Sequence, residues 1–207
     1  NEGDLVLFCA DQKKVVYDAL GNLRKEIARR RGLLNDNEYS FVWVTDFPLF
    51  EYSETEKSYT SSHHPFTMPD TDDLEKYGET SPEKIRSRAY DVVLNGVEIG
   101  GGSIRIHRED IQNKVFRLLK LTEAEIESKF GFLMEALSYG APPHGGIALG
   151  FDRMMMFLLK TSSIRDVIAF PKTQKAGCLM TDAPSAVETD QLDELHIRVK
   201  ASAQQTE

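Results

Sequence analysis

Asp91 and Glu98 flank an Asn95-Gly96 dipeptide set between β-forming residues, in a stretch that runs from Ala89 to Ile99. Asn-Gly is the strongest short-range signal for a two-residue hairpin turn. With that turn, Leu94 is expected opposite Val97, Val93 opposite Glu98, and Asp91 opposite Gly100. Cross-strand partners share a face, so both carboxylates point the same way as diagonal neighbours, about 7–8 Å apart at the backbone. Two carboxylates so placed can converge on a hard cation such as Mg²⁺. A solvated polar face on an antiparallel sheet would use the same residues, and spacing alone does not separate the two.

Gly100-Gly101-Gly102 follows, then Ser103-Ile104-Arg105-Ile106-His107. Before the glycines the apolar positions are odd (Val97, Ile99); after them they are even (Ile104, Ile106). Side-chain direction along a strand has period two, so one regular strand cannot bury both sets on one face. A bulge or kink within the glycine run restores agreement, and strand glycines often mark one. The bulge brings Arg105 onto the face of Glu98, an arrangement suited to an anion beside a metal.

Two further segments carry possible chemistry. Gly145–Arg153 (GGIALGFDR) reads as a strand turning into a helix, with Asp152 as its N-cap. Arg153 in the first helical turn opposes the helix dipole. An anion bound between the helix start and the guanidinium would account for it, as would a structural carboxylate partner. His63-His64-Pro65 follows a polar stretch. Without a Cys or carboxylate at metal-ligand spacing, this pair suits a clamp on an anionic substrate better than a zinc site, and ordinary surface histidines fit it too. Pro142-Pro143-His144 reads as a rigid turn.

The elements that must position these residues are read from periodicity. Residues 4–9 suggest a short apolar strand and 12–31 a helix with Arg29-Arg30-Arg31 in its last turn. Asn35-Asp36-Asn37-Glu38 is the clearest boundary. Phe41–Thr45, apolar at both parities, is expected to be a strand buried on both faces. Residues 51–62 and 68–83 read as loops. Helices are expected over 109–119 and 123–138, with core-facing stripes (Ile111, Val115, Leu118, Leu119; Ile126, Phe130, Leu133, Leu137) to which no chemistry is given. The run Met154–Leu159 is apolar all round, which predicts a buried helix. The end, from Ala201, is expected to fray.

The 207 residues are 41% hydrophobic and 28% charged, as in an ordinary globular chain. A net charge of −8 argues against a general nucleic-acid binder, so any RNA contact would be local. Cys9 and Cys178 lie far apart, which suits a reducing, cytoplasmic compartment. No apolar run approaches the ~18 residues of a membrane span, and no basic-then-apolar leader opens the chain. The first residue is Asn1, inside apparent strand sequence, which suggests a piece of a longer protein.

Taken together, these segments resemble the bacterial-type aspartyl-tRNA synthetases, a class II aminoacyl-tRNA synthetase family. GGIALGFDR (145–153) is similar to the family's third signature motif. TDFPLF (45–50), SHHPFT (62–67), YDVVLNGVEIGGGSIRIH (90–107), YGAPPHGG (139–146) and IRDVIAFPK (164–172) follow its sequence in order. The resemblance implies an α+β fold, a class II antiparallel sheet flanked by helices. Residues 1–35 would be the end of a small inserted α/β domain and 36–207 the C-terminal part of the catalytic domain. It implies ATP-dependent activation of L-aspartate, transfer to tRNA(Asp), and a homodimeric parent enzyme. Asp91 and Glu98 would handle Mg²⁺ and ATP, and Arg105 would grip the side-chain carboxylate of aspartate. His63 would contact the amino acid with support from His64. Gly150, Phe151, Asp152 and Arg153 would line the ATP site, and Glu98 and Arg153 would carry the catalytic charge. The family's first and second motifs, with the second motif's ATP-binding arginine, have no counterpart here, nor does its anticodon-binding barrel. The chain alone is therefore expected to be inactive. An asparaginyl-tRNA synthetase, an ammonia-dependent asparagine synthetase or a non-catalytic nucleotide- or partner-binding paralogue would share many of these features.

Overall fold

The computed structural model describes residues 2–200 apart from Asp36 and Glu79. The expected fraying from Ala201 lies outside the described residues. The chain forms two compact units, residues 1–150 and 151–207.

In the first unit, α1 (Lys13–Arg30) is an exposed helix whose last-turn Arg29 and Arg30 both pair with Glu26, at 2.6 and 2.9 Å. The expected strand over 4–9 does not form, and those residues take no regular secondary structure. An antiparallel sheet follows in the order β1 (Phe41–Val44), β4 (Ala89–Leu94), β5 (Val97–Ile104), β6 (Gly145–Leu149). Residues 51–62, expected as loop, are mostly a second hairpin, β2 (Phe50–Ser53) with β3 (Ser58–Ser61). Polar composition hid it: Phe50 is its one fully buried residue, and Tyr52 and Tyr59 meet edge to face at 5.4 Å. The stretch 68–83, also expected as loop, holds α2 (Thr71–Tyr77) and a 3-10 turn (Pro82–Lys84). Asp70 caps α2 by accepting from the Asp73 amide at 3.0 Å, as an N-cap aspartate does. Asp73 in turn takes the Arg86 guanidinium at 2.7 Å, which holds its carboxyl below the usual range.

The core gathers beside the sheet, where Leu49, Phe50, Met68, Leu74, Ile85 and Ile106 pack with Ile111 and Val115 of α3 (Glu109–Leu118). Val115 and Ile85 are fully buried, each worth about 1.5–3 kcal/mol of transfer free energy. Helix α4 (Glu123–Ser138) starts with a reciprocal capping box between Thr122 and Glu125. It stacks Phe130 on Phe116 of α3, with ring centres 5.3 Å apart.

One expectation about packing fails clearly. β1 is apolar at both parities, yet Phe41, Val42 and Trp43 are 64%, 53% and 60% exposed. Among the described residues β1 is an edge strand, with β4 as its one neighbour in the sheet.

The second unit carries α5 (Phe151–Leu158), a 3-10 turn (Ile164–Asp166) and α6 (Thr189–Glu194). Helix α5 begins one residue earlier than expected, so Asp152 sits in its first turn and is not its N-cap. An all-apolar face predicted burial, but no residue of α5 is buried. Among the described residues no helix is long and apolar enough to cross a membrane.

Candidate active site

The Asn95-Gly96 turn forms as expected. Both residues take positive φ, +49° and +84°, as a type I′ turn requires. The Asn95 side chain fastens the turn to the chain entering β1. Its Oδ1 accepts from the Ser40 amide and its Nδ2 donates to the Glu38 carbonyl, each at 2.8 Å.

Leu94 pairs with Val97 and Val93 with Glu98, again as expected. The register then shifts: Val92 meets Gly100, and Asp91 meets Gly101, not Gly100. The extra residue is Ile99, so the bulge precedes the glycine run instead of lying within it. Ile99 is buried on the face of Leu94 by ordinary alternation, and the shift beyond it puts Ile104 and Ile106 on that same face.

The bulge keeps Asp91 and Glu98 on one face. Gly101 pairs with Asp91 on one side and Ala148 on the other. A Cβ built on Gly101 would collide with Asp91 Oδ1 and lie 3.6 Å from Glu98 Oε1. Both carboxylates therefore lean over the bare backbone of Gly101. Two hard oxygen donors beside open backbone suit Mg²⁺, which binds through one or two carboxylates and takes its other ligands from phosphates and water. Among the described residues no group of three or more His, Cys, Asp or Glu forms a cage, so such an ion would depend on the nucleotide.

Alternation from Gly101 through Ser103 carries Arg105 to the same face, about 13 Å further along at the rise of a strand. Here the structure adds what sequence did not supply. Arg105 Nη1 lies 3.0 Å from His64 Nδ1, and the same nitrogen accepts from the Phe66 amide at 3.1 Å. A nitrogen that receives two N–H groups is unprotonated, so His64 is neutral with its proton on Nε2. Its pKa is lowered from the ordinary 6.5, first by burial, then by the Arg105 charge and by His63. His63 is exposed and sets its ring edge to face with Phe47, centres 4.9 Å apart. The structure thus brings together Asp91 with Glu98, and Arg105 with His64.

Gly150 ends this unit and donates its amide to the Ile99 carbonyl at 2.7 Å. That bond ties the end of the strand leading to α5 to the bulge. Phe151, Asp152 and Arg153 form the first turn of α5 in the second unit.

One residue of this neighbourhood went unread. Gln112 of α3 is fully buried and donates its Nε2–H to the Pro65 carbonyl at 2.8 Å. The available signal was an amide at an inward position, four residues before the buried Phe116.

The chain has relatives among known proteins. Residues 12–174 match the family model described as tRNA synthetases class II (D, K and N), and the chain belongs to that family. It is 59% identical to the aspartate–tRNA(Asp/Asn) ligase of Desulfatibacillum aliphaticivorans over 198 residues, covering 96% of this chain and 33% of that one. It is 55% identical to the aspartate–tRNA ligase of Ruminiclostridium cellulolyticum over 197 residues, 95% of this chain and 33% of the other. A solved aspartyl tRNA synthetase from Entamoeba histolytica is similar at 25% identity and a TM-score of 0.49, over 84% of this chain and 29% of that one. The chain spans about a third of the length of the curated relatives it matches.

Proposed function

We propose that Asp91, Glu98, Arg105, His63 and His64 belong to a site that activates L-aspartate with ATP and passes the aspartyl group to tRNA(Asp). The observation that carries the reading is the Arg105–His64 contact. A carboxylate partner would neutralise the guanidinium; a neutral imidazole orients it and leaves its full charge for a ligand. The remaining N–H groups form a planar fork that matches a carboxylate, the side chain of aspartate, better than a carboxamide. The identities of 55–60% to proteins named as aspartate–tRNA ligases support the same substrate.

In the first step a carboxylate oxygen of aspartate attacks the α-phosphorus of ATP, and the bond to the bridging oxygen breaks to release pyrophosphate. In the second, a tRNA hydroxyl displaces AMP. Neither step needs a covalent nucleophile from the protein, so catalysis rests on positioning and charge. Arg105 holds the side-chain carboxylate, His63 contacts the amino acid, and His64 fixes Arg105. Asp91 and Glu98 hold the Mg²⁺ that accompanies ATP; the ion supplies neutralisation of phosphate charge. Gly150, Phe151, Asp152 and Arg153 line the nucleotide, and Arg153 opposes its negative charge. The same reading takes residues 1–35 as the end of an inserted domain and 36–207 as catalytic, in a cytoplasmic homodimeric enzyme. A second reading, that tRNA(Asn) is charged too, is favoured by the Asp/Asn names of several relatives.

The test is Arg105→Leu in a full-length ligase carrying these 207 residues. Stranding the substrate carboxylate in a desolvated pocket costs about 2–5 kcal/mol, so aspartate kcat/KM should fall roughly 30-fold or more with a nearly normal KM for ATP. Arg105→Lys should recover only part, since a point charge lacks the two-pronged geometry. Equal weakening of ATP and aspartate would overturn the assignment.

A further inference from the structure

Gln112 lies fully buried on α3, on a stripe otherwise built from Ile111, Val115 and Phe116. Its Nε2 donates to the Pro65 carbonyl at 2.8 Å, across 47 residues of sequence. Its Oε1 is buried and accepts no hydrogen bond among the described residues. A buried amide with an unmet oxygen is a poor way to stabilise a core, where an apolar side chain of the same size does better. The bond to Pro65 is therefore the amide's specific contribution, and its value lies in what Pro65 is attached to.

Pro65 directly follows His64. Proline fixes its own φ and restricts the residue before it, so an anchor on the Pro65 carbonyl also sets the backbone of His64. The next residue is held as well. The Ile106 amide donates to the Phe66 carbonyl at 2.9 Å, and the Phe66 ring packs edge to face on Phe130 of α4, centres 5.3 Å apart. These contacts fix the segment from three sides, and its imidazole meets Arg105 at 3.0 Å. A loose His64 would let the Arg105 fork rotate, and a misplaced bidentate partner loses much of its grip.

We infer that Gln112 is a positioning residue for amino-acid recognition: through Pro65 it sets His64, and through His64 it aims Arg105 at the aspartate side chain. This inference rests on the reading of the site given above. It adds α3, a helix with the sequence signature of plain core, to the substrate-recognition apparatus.

The experiment uses a full-length ligase carrying this chain, assayed by aspartate-dependent pyrophosphate exchange, with Gln112→Met, Gln112→Leu and Val115→Ala compared. Methionine keeps length and helix propensity while removing both the tie to Pro65 and the unmet oxygen. Val115→Ala opens a cavity in the same helix without touching the tie, so it reports what mere loss of packing does. The inference predicts that Gln112→Met raises the aspartate KM about tenfold, with the ATP KM and the melting temperature close to the parent. Val115→Ala should lower the melting temperature without a selective effect on aspartate. Parental aspartate kinetics in Gln112→Met, or parallel changes for ATP and aspartate, would overturn it. Should neither Gln112 variant fold, the residue is structural and the positioning role is wrong. Absence of aspartate-dependent exchange in the unmodified ligase would sink the reading of the site and this inference with it. Intact exchange with an indifferent Gln112→Met would sink the inference alone.

Discussion

The two ends of β5 hold charged groups by different means. Near Glu98 and Gly101 the arrangement is made by backbone: a tight turn, one bulged residue, and a glycine whose missing Cβ leaves room for Asp91. Near Arg105 it is made by side chains from distant segments: His64, and behind it Gln112 holding Pro65. The first kind of site is written in adjacent letters and survives moderate changes around it. The second depends on three segments meeting correctly, so it is open to tuning from residues that never touch a ligand.

That difference also decides what could be read in advance. Asn95-Gly96 and the change of apolar parity across the glycines are local signals, and they foretold the hairpin, the shared face and the need for a bulge. The bulge itself falls at Ile99, one residue before the glycines, because the parity change requires a shift somewhere between Ile99 and Ile104 without fixing where. The Arg105–His64 contact spans 41 residues and the Gln112–Pro65 bond 47, distances at which periodicity carries no information. Helices 109–118 and 123–138 were legible from their stripes. The β2–β3 hairpin and α2 were not, because polar residues on exposed faces read as loop. β1 and α5 failed differently: their composition is that of buried elements, but exposure is set by what lies against them.

The sharpest way to break the comparison is at the backbone-built end. Gly101→Ala places a methyl against Asp91 Oδ1, the far end of a movable side chain. Asp91 should swing aside with little loss of stability, within about 1 kcal/mol in thermal unfolding. Displacing a charge-positioning group should nevertheless cut kcat for adenylate formation by roughly 100-fold in a full-length ligase. A large fall in stability, or a near-normal kcat, would remove the carboxylate pair from the mechanism.

Acid pH tests the other end, with a smaller expected effect. The pKa of His64 is lowered below 6.5, so its neutral form is the one the fold favours. Its contribution to stability is full above pH 6.5 and is lost as pH falls from there through the lowered value. Protonation turns the acceptor into a cation facing Arg105. Aspartate kcat/KM should therefore show an acid limb with its midpoint below 6.5, while the ATP KM stays level across that range. A histidine titration by NMR placing His64 at or above 6.5 would contradict this.

The central claim is that Arg105 grips aspartate only as a unit with His64, and a double-mutant cycle measures it directly. His64→Leu, Arg105→Leu and the double variant are compared by aspartate kcat/KM in a full-length ligase. If His64 acts by fixing Arg105, the double variant should be scarcely worse than Arg105→Leu, giving a coupling of at least about 1 kcal/mol. Losses that simply add, to within about 0.3–0.5 kcal/mol, would show two independent contacts and contradict the account.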